Sequence, residues 1–302
     1  MYLTPEVIAA FVKKGLEYAQ KLGEPLPEPR WEVEKKRLIE HNQDDEFYML
    51  TNLKTLKVTW HHNMNRLLGY NNAAEFDESF YDELVHPYIL HYFNAFALGM
   101  YEVVFKGKDE LSYMSHRYKI TVPFRKADGQ YICVQQITYP CQFDAKGQLV
   151  TYYTRYIVNN NGYLGEPLQP SIFFNNKIEH NFVGRLHQEA ANVLSIGDQK
   201  AMFTRDELKV LKEAYKIRHE KARYSRNDLL QSKFKFSIKH ANTSIKQKAQ
   251  LIFVKSLDNM PKPTPLSNFD SCLPKLDDVY LIAEFLQHSG ILDVMDIKLR
   301  NG

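Results

Sequence analysis

Apolar side chains first recur at intervals of three and four residues. Ile8, Phe11, Val12, Leu16, Ala19 and Leu22 then share one face of a helix. Thr4 is placed to cap it, Pro5 suits its first turn, and Glu6 complements the positive end of its dipole. Gly23 suits the position just past its end, and three prolines follow before residue 30. The stripe is expected to pack on its own domain, with a dimer contact as the second reading. The period then shortens. Residues 47–53 and 56–60 read as two short strands, and "HHNMNRLLGY" as one or two helical turns ending at Gly69. "ESFYDELVHPYILHYFNAFALGMYEVVF" is helical with a break at His86-Pro87, Pro87 opening a longer helix to about residue 105. Three long alternating runs follow. In the first, His116, Tyr118, Ile120, Val122 and Phe124 share a face. "QYICVQQITYPCQF" follows the turn Ala127-Asp128-Gly129, and "QLVTYYTRYIV" follows the turn at 144–147. Turns of this chemistry join antiparallel neighbours.

Beyond the strands the helical period returns. "NNNGYLGEPLQP" at 159–170 is rich in Asn, Gly and Pro and is expected to end the sheet. A helix over about 178–195 would align Phe182, Leu186, Ala190 and Leu194, as a coupling element or as a plain packing helix. In "FTRDELKVLKEAYK", Thr204 and Glu207 form a capping box. Leu208, Leu211 and Tyr215 continue the apolar face, with Val210, Ala214 and Ile217 beside it. Ser225 and Asp228 cap a short helix that turns Leu229, Leu230 and Phe234 inward. A helix over about 242–256 places Ile245, Ala249 and Ile252 on one face. Its other face carries Asn242, Thr243, Lys246, Gln247 and Gln250, with Lys248 at the side.

Charge sharpens this picture. The net charge over 302 residues is only +3, but residues 205–255 hold 14 Lys or Arg against 5 Asp or Glu. That local excess of +9 leaves the remainder at −6, a distribution that suits a polyanionic partner for the basic block. The three cysteines, Cys133, Cys141 and Cys272, include no C-x-x-C and form neither a disulfide framework nor a zinc site. Cys133 and Cys141 would face the same side of an undistorted strand, a register that Pro140 can break, and both read as structural thiols. His61-His62 is a doublet and lacks the i, i+4 spacing of a helical metal site. G-x-S-x-G, P-loop, G-x-G-x-x-G and kinase motifs are missing, so the chain is not expected to be an enzyme. With no secretory pattern and no apolar run long enough for a bilayer, a cytoplasmic protein without membrane partners is expected.

Two resemblances give the order meaning. The "NRLLGY" turn at 65–70, "LVHP" at 84–87 and "KADGQYICVQ" joining two strands resemble a PAS domain, over roughly residues 46–160. The resemblance implies a five-stranded antiparallel sheet with small helices over one face. It also implies a role in sensing a small ligand, in dimerisation or in relaying a signal to a protein partner. The light-sensing branch's Gly-Asn-Cys-Arg motif does not occur. The haem branch uses a histidine on the longer helix, where His86 and His91 read as ordinary structural residues. No cofactor is expected, and the pocket ligand has no name from sequence.

"FTRDELKVL" is similar to the opening of a LuxR-type C-terminal DNA-binding domain, and "SIKQKAQLIFVK" to its recognition helix. Ser244, Ile245, Lys246, Lys248, Leu251, Ile252 and Lys255 take the matching positions, and "VYLIAEFLQHSGIL" from 279 resembles the closing helix. The chain departs from that family in three ways. The stretch between Phe234 and Ser244 is longer, "LDNMPKPTPLSNFDSCLPKLDD" is inserted, and Leu229-Leu230 replaces the usual Ile-Ala pair.

The expected fold is therefore α+β: a PAS-like five-stranded antiparallel sheet with flanking helices, then an all-α helix-turn-helix domain. The expected divisions are an N-terminal helix at 1–30, a PAS-like domain at 31–165, a linker and coupling helix at 166–202, and a LuxR-like domain at 203–302. The expected function is transcription regulation by a homodimer on double-stranded DNA. Asn242, Thr243, Ser244, Lys246, Gln247 and Lys248 would lie on the recognition helix, with Arg226, Lys239, His240 and Lys255 as nearby phosphate contacts. Lys suits guanine edges and phosphates, Asn and Gln suit adenine, and hydroxyls suit phosphates. The alternative is a signalling scaffold whose basic helices meet an acidic protein.

Overall fold

Strands form where the side chains alternate, and they join into one antiparallel sheet. The computed structural model describes residues 13, 15–41, 43–70, 84–85, 93–97, 99–100, 103, 111–159, 170–193, 204–219, 243–247, 279–288 and 292. Its strands are β1 (Glu46–Asn52), β2 (Lys57–His62), β3 (His116–Arg125), β4 (Tyr131–Phe143), β5 (Leu149–Asn159), β6 (Ser171–Phe174) and β7 (Lys177–Ile178), in the spatial order β2-β1-β5-β4-β3-β6-β7. The helices are α1 (Pro29–Glu40), α2 (Met64–Leu68), α3 (His180–Val193), α4 (Arg205–His219) and α5 (Val279–His288). Residues 15–19, 93–97, 99–100 and 243–247 are also helical. No helix among the described residues is long and apolar enough to cross a membrane.

Three features differ from the sequence reading. First, the sheet has seven strands, and residues 159–170 do not end it. β6 pairs with β3 from His116↔Phe174 to Lys119↔Ser171, and β7 folds back on β6 with Phe174↔Lys177 as its closing pair. The two residues between are Asn175 and Asn176, both left-handed (φ 48° and 63°). This is the geometry a two-residue hairpin needs, and asparagine tolerates it better than most residues. Second, α1 was not foreseen, because the preceding prolines read only as a stop. Pro29 sits in its first turn, where a missing N–H costs nothing, and the Glu28 side chain accepts from the Arg30 N–H. Third, His61 and His62 belong to β2 and not to the helical turns after it. Those turns begin at Met64 and end where Gly69 (φ 78°) donates its N–H to the Asn65 carbonyl.

The sheet has two buried faces. On the inner one Phe47 stacks on Tyr156 with centroids 4.4 Å apart. Around that pair lie Met49, Met64, Leu68, Leu84, Phe124, Val134 and Val158. On the outer face α1 lays Trp31 and Leu38 on Tyr48, Leu50, Cys141 and Tyr153. Trp31 meets Trp60 edge-on at 5.4 Å and Tyr153 at 5.1 Å. Beside them the buried Glu46 carboxylate accepts from Tyr48 Oη (2.6 Å) and from the Arg155 guanidinium (Nε at 2.8 Å). Burial acts to raise the Glu46 carboxyl, but those hydrogen bonds outweigh it and hold the group below its ordinary value. Cys133 and Cys141 are buried thiols on this side, despite the register shifts between Pro140 and Phe143. Burial pushes the Cys141 thiol up to about 12, as suits an unreactive structural residue.

The N-terminal stripe packs on its own domain as far as it is described. Ala19 and Leu22 are buried, Leu16 is exposed, and Ile8, Phe11 and Val12 lie outside the described residues. Gly23 ends this element by close approach rather than by a left-handed turn. Its N–H donates to Asp144 Oδ2 (3.0 Å), and an added Cβ would stand 3.0 Å from the Asp144 Cβ. The other Asp144 oxygen accepts from the N–H groups of Lys146 and Gln148, closing the turn between β4 and β5.

Candidate functional site

Cross-strand register places a polar group inside an apolar face. Gln136 on β4 lies opposite Ile120 of β3 and Tyr156 of β5, both in the inner core. Thr138 lies opposite Tyr118 and Thr154, and Thr154 opposite Met49. The row continues to His61, which pairs with Met49 across β1 and β2. Gln136 Nε2 donates to Thr138 Oγ1 (3.3 Å), and the hydroxyls of Thr138 and Thr154 are 3.1 Å apart. Gln136 is 7% exposed and Thr154 fully buried. The Gln136 Oε1 is buried, with no hydrogen-bond partner among the described residues. An unmet acceptor of this kind is uncommon in a folded core and costs about 1–3 kcal/mol.

On β1, β3, β4 and β5 the other residues of this face are mostly apolar or aromatic and none is Asp, Glu, Lys or Arg, and Thr51 adds a third buried hydroxyl, itself without a hydrogen-bond partner among the described residues. Burial lowers the His61 pKa and so favours its neutral form, while burial raises the Tyr118 phenol. These four strands therefore offer one unmet amide acceptor, three threonine hydroxyls and flat rings, without a formal charge. Leu84, Val85, Ala95, Phe96 and Val103 cover it in the same cluster. His86 and His91 lie outside the described residues. The sequence reading did not single out Gln136. The available signal was the run Val134, Gln136, Thr138, which puts two polar residues on the apolar side of a strand.

The capping box forms at the start of α4. The Thr204 N–H donates to Glu207 Oε2 (2.7 Å), and the Glu207 N–H donates to Thr204 Oγ1 (3.2 Å). Leu208, Val210, Leu211, Ala214 and Ile217 are buried, and α5 packs against α4 with Val279, Tyr280, Ile282, Ala283 and Leu286. The helical turns at 243–247 dock on the same cluster through Ile245, which is fully buried. Ser244 Oγ donates to Glu207 Oε1 at 2.6 Å, so the capping carboxylate also holds this basic segment. Thr243 and Gln247 are exposed and Lys246 is half-buried. Four of the candidate DNA contacts are thus brought together: Thr243, Ser244, Lys246 and Gln247. Asn242, Lys248, Lys255, Lys239, His240 and Arg226 lie outside the described residues, as does the short helix expected from Ser225.

Between the two regions runs α3. Phe182, Leu186 and Ala190 are buried along one side at the spacing the sequence suggested, while Leu194 lies outside the described residues. These three belong to one core cluster that also holds Phe47 and Tyr156 of the sheet and Leu211 and Ile282 of α4 and α5.

No family model matches the chain, and no curated protein matches it. Solved structures do. It is similar to the N-terminal domain of a diguanylate cyclase with a PAS/PAC sensor from Marinobacter aquaeolei, at 11% identity and a TM-score of 0.31, over 37% of this chain and 94% of that one. It is also similar to VqmA from Vibrio cholerae in a ligand–DNA complex, at 14% identity and a TM-score of 0.31, over 84% of this chain and 88% of that one. The VqmA dimer without target DNA, described with LuxR-type receptors, gives 13% identity and a TM-score of 0.30, over 76% and 91%. At these identities and scores the likenesses are weak.

Proposed function

We propose that the chain is a transcription regulator in which a PAS-like sensor controls a divergent LuxR-like helix-turn-helix that binds double-stranded DNA as a homodimer. The proposed divisions are the sensor at 31–165, the coupling segment at 166–202 and the DNA-binding part at 203–302. The sensed ligand would be small and neutral. It would donate a hydrogen bond to Gln136 Oε1 and lay an apolar or aromatic body against Phe47, Ile120 and Tyr156. The observation that carries the DNA reading is the seating of residues 243–247. Ile245 is buried and Ser244 is tied to Glu207, while Thr243 and Gln247 stay at the surface beside Lys246. A polar, basic helix face held by its apolar side is what groove reading requires.

The test is a titration of the purified protein against random duplex DNA at low and moderate salt. If about six phosphates are neutralised, the logarithm of affinity falls against log salt with a slope near −5. Lys246→Glu with Lys248→Glu should weaken binding by at least about 1–3 kcal/mol. Absence of binding at low salt, or equal binding by the variant, would overturn the assignment. The basic face would then belong to the scaffold reading, with an acidic protein as its partner.

A further inference from the structure

Resting on the sensor reading above, we infer that Gly99 is the joint through which the inner face of the sheet governs the C-terminal helices. Helical residues 93–97 and 99–100 form part of the wall over that face. Ala95 and Phe96 are buried in the same cluster as Phe47, Ile120 and Tyr156. Gly99, on the same wall, meets α3. A Cβ there would stand 2.8 Å from Leu186 Cδ1, 2.9 Å from the Leu186 carbonyl oxygen and 3.4 Å from the Ala190 nitrogen. A leucine tip turns away at little cost. The carbonyl belongs to the backbone of α3 and yields only if the helix moves. Phe96, one turn earlier, sets its ring 5.7 Å from His187. The wall therefore grips two successive residues of α3.

The other contacts of α3 make this grip consequential. Its base is fixed to the sheet edge: the Glu179 N–H donates to the Ile172 carbonyl (2.8 Å), and His116 lies 4.7 Å from the Phe174 ring and 6.1 Å from that of Phe182. Further along, Leu186 and Ala190 join the cluster that holds Leu208, Leu211, Val279 and Ile282 of α4 and α5. Cores packed to crystal density transmit displacement instead of absorbing it, and helices in contact shift as units. A ligand seated on Gln136 that displaces the wall thus displaces α3 and, through the shared cluster, the α4–α5 pair that holds residues 243–247.

The experiment is hydrogen–deuterium exchange on the full chain, with Thr154→Val as a perturbation of the inner face. In the wild-type background this substitution should change amide exchange in α4 and α5 by about fivefold or more. In the Gly99→Ala background the same substitution should leave α4 and α5 within about twofold, because the helix approach is lost. Near-ultraviolet circular dichroism checks that each variant is folded. If Gly99→Ala does not fold, Leu186→Ala keeps the carbonyl approach but removes the side chain that carries α3 into the shared cluster, and it should also uncouple the two regions. An effect of Thr154→Val that reaches α4 and α5 equally in all backgrounds, or in none, would overturn the joint. The exchange readout needs no DNA. Coupling without DNA binding would leave the joint standing and sink the DNA reading, whereas DNA binding without coupling would do the reverse.

Discussion

At the scale of single residues, the most informative position is Gln136. Its amide nitrogen is engaged by Thr138, and its buried oxygen has no partner among the described residues. Leucine has nearly the same volume, and the Thr138 hydroxyl keeps Thr154 when the amide is gone. Gln136→Leu should therefore stabilise the unliganded protein by roughly 1–3 kcal/mol while abolishing any ligand-induced stabilisation. Urea unfolding reads this directly; a loss of stability would mean that the oxygen already has a partner and that the face is not built for a ligand. Strand alternation shows which side of β4 faces inward, and that much is legible in sequence. Which oxygen remains unmet depends on side chains from β3 and β5, and one strand's sequence does not carry that. The pairing of Glu207 with Thr204 is the opposite case. Both partners lie within one turn, so the spacing alone reveals it. The further bond from Ser244 crosses 37 residues and needs the fold.

At the scale of elements, the long strands were legible because Tyr, Val and Ile recur at alternate positions and turn residues bound each run. The β6–β7 hairpin was not, because its strands are short and follow a segment composed like a loop. Phe174-Asn175-Asn176-Lys177 held the signal, as two turn-forming asparagines between paired residues. α1 was hidden for a different reason. Only Trp31 and Leu38 of its residues are buried, too few to mark a stripe among its charges. Those two do the anchoring, since Trp31 packs against Trp60 and Tyr153 and closes the outer face. Trp31→Ala should cost about 3–5 kcal/mol in urea unfolding. A loss below about 1 kcal/mol, the range typical of surface sites, would show that α1 merely lies on the sheet.

At the scale of the whole molecule, the shared cluster sets how the parts unfold. The sequence divides the chain into a sensor and a helical domain joined by a linker, and parts so joined would melt independently. Yet Phe182, Leu186 and Ala190 of α3 bury against a core that runs from Phe47 to Leu286. Severing the parts would expose that shared surface, so the two should unfold together. The chain supplies its own reporters. Both of its tryptophans, Trp31 and Trp60, sit on the outer face of the sheet, whereas α3, α4 and α5 contribute much of the helical circular dichroism. Fluorescence and far-ultraviolet dichroism should give coincident urea midpoints in the wild-type chain. Two separated midpoints would mean that α3 packs on one part only, and a ligand on Gln136 would then have no rigid route to Lys246.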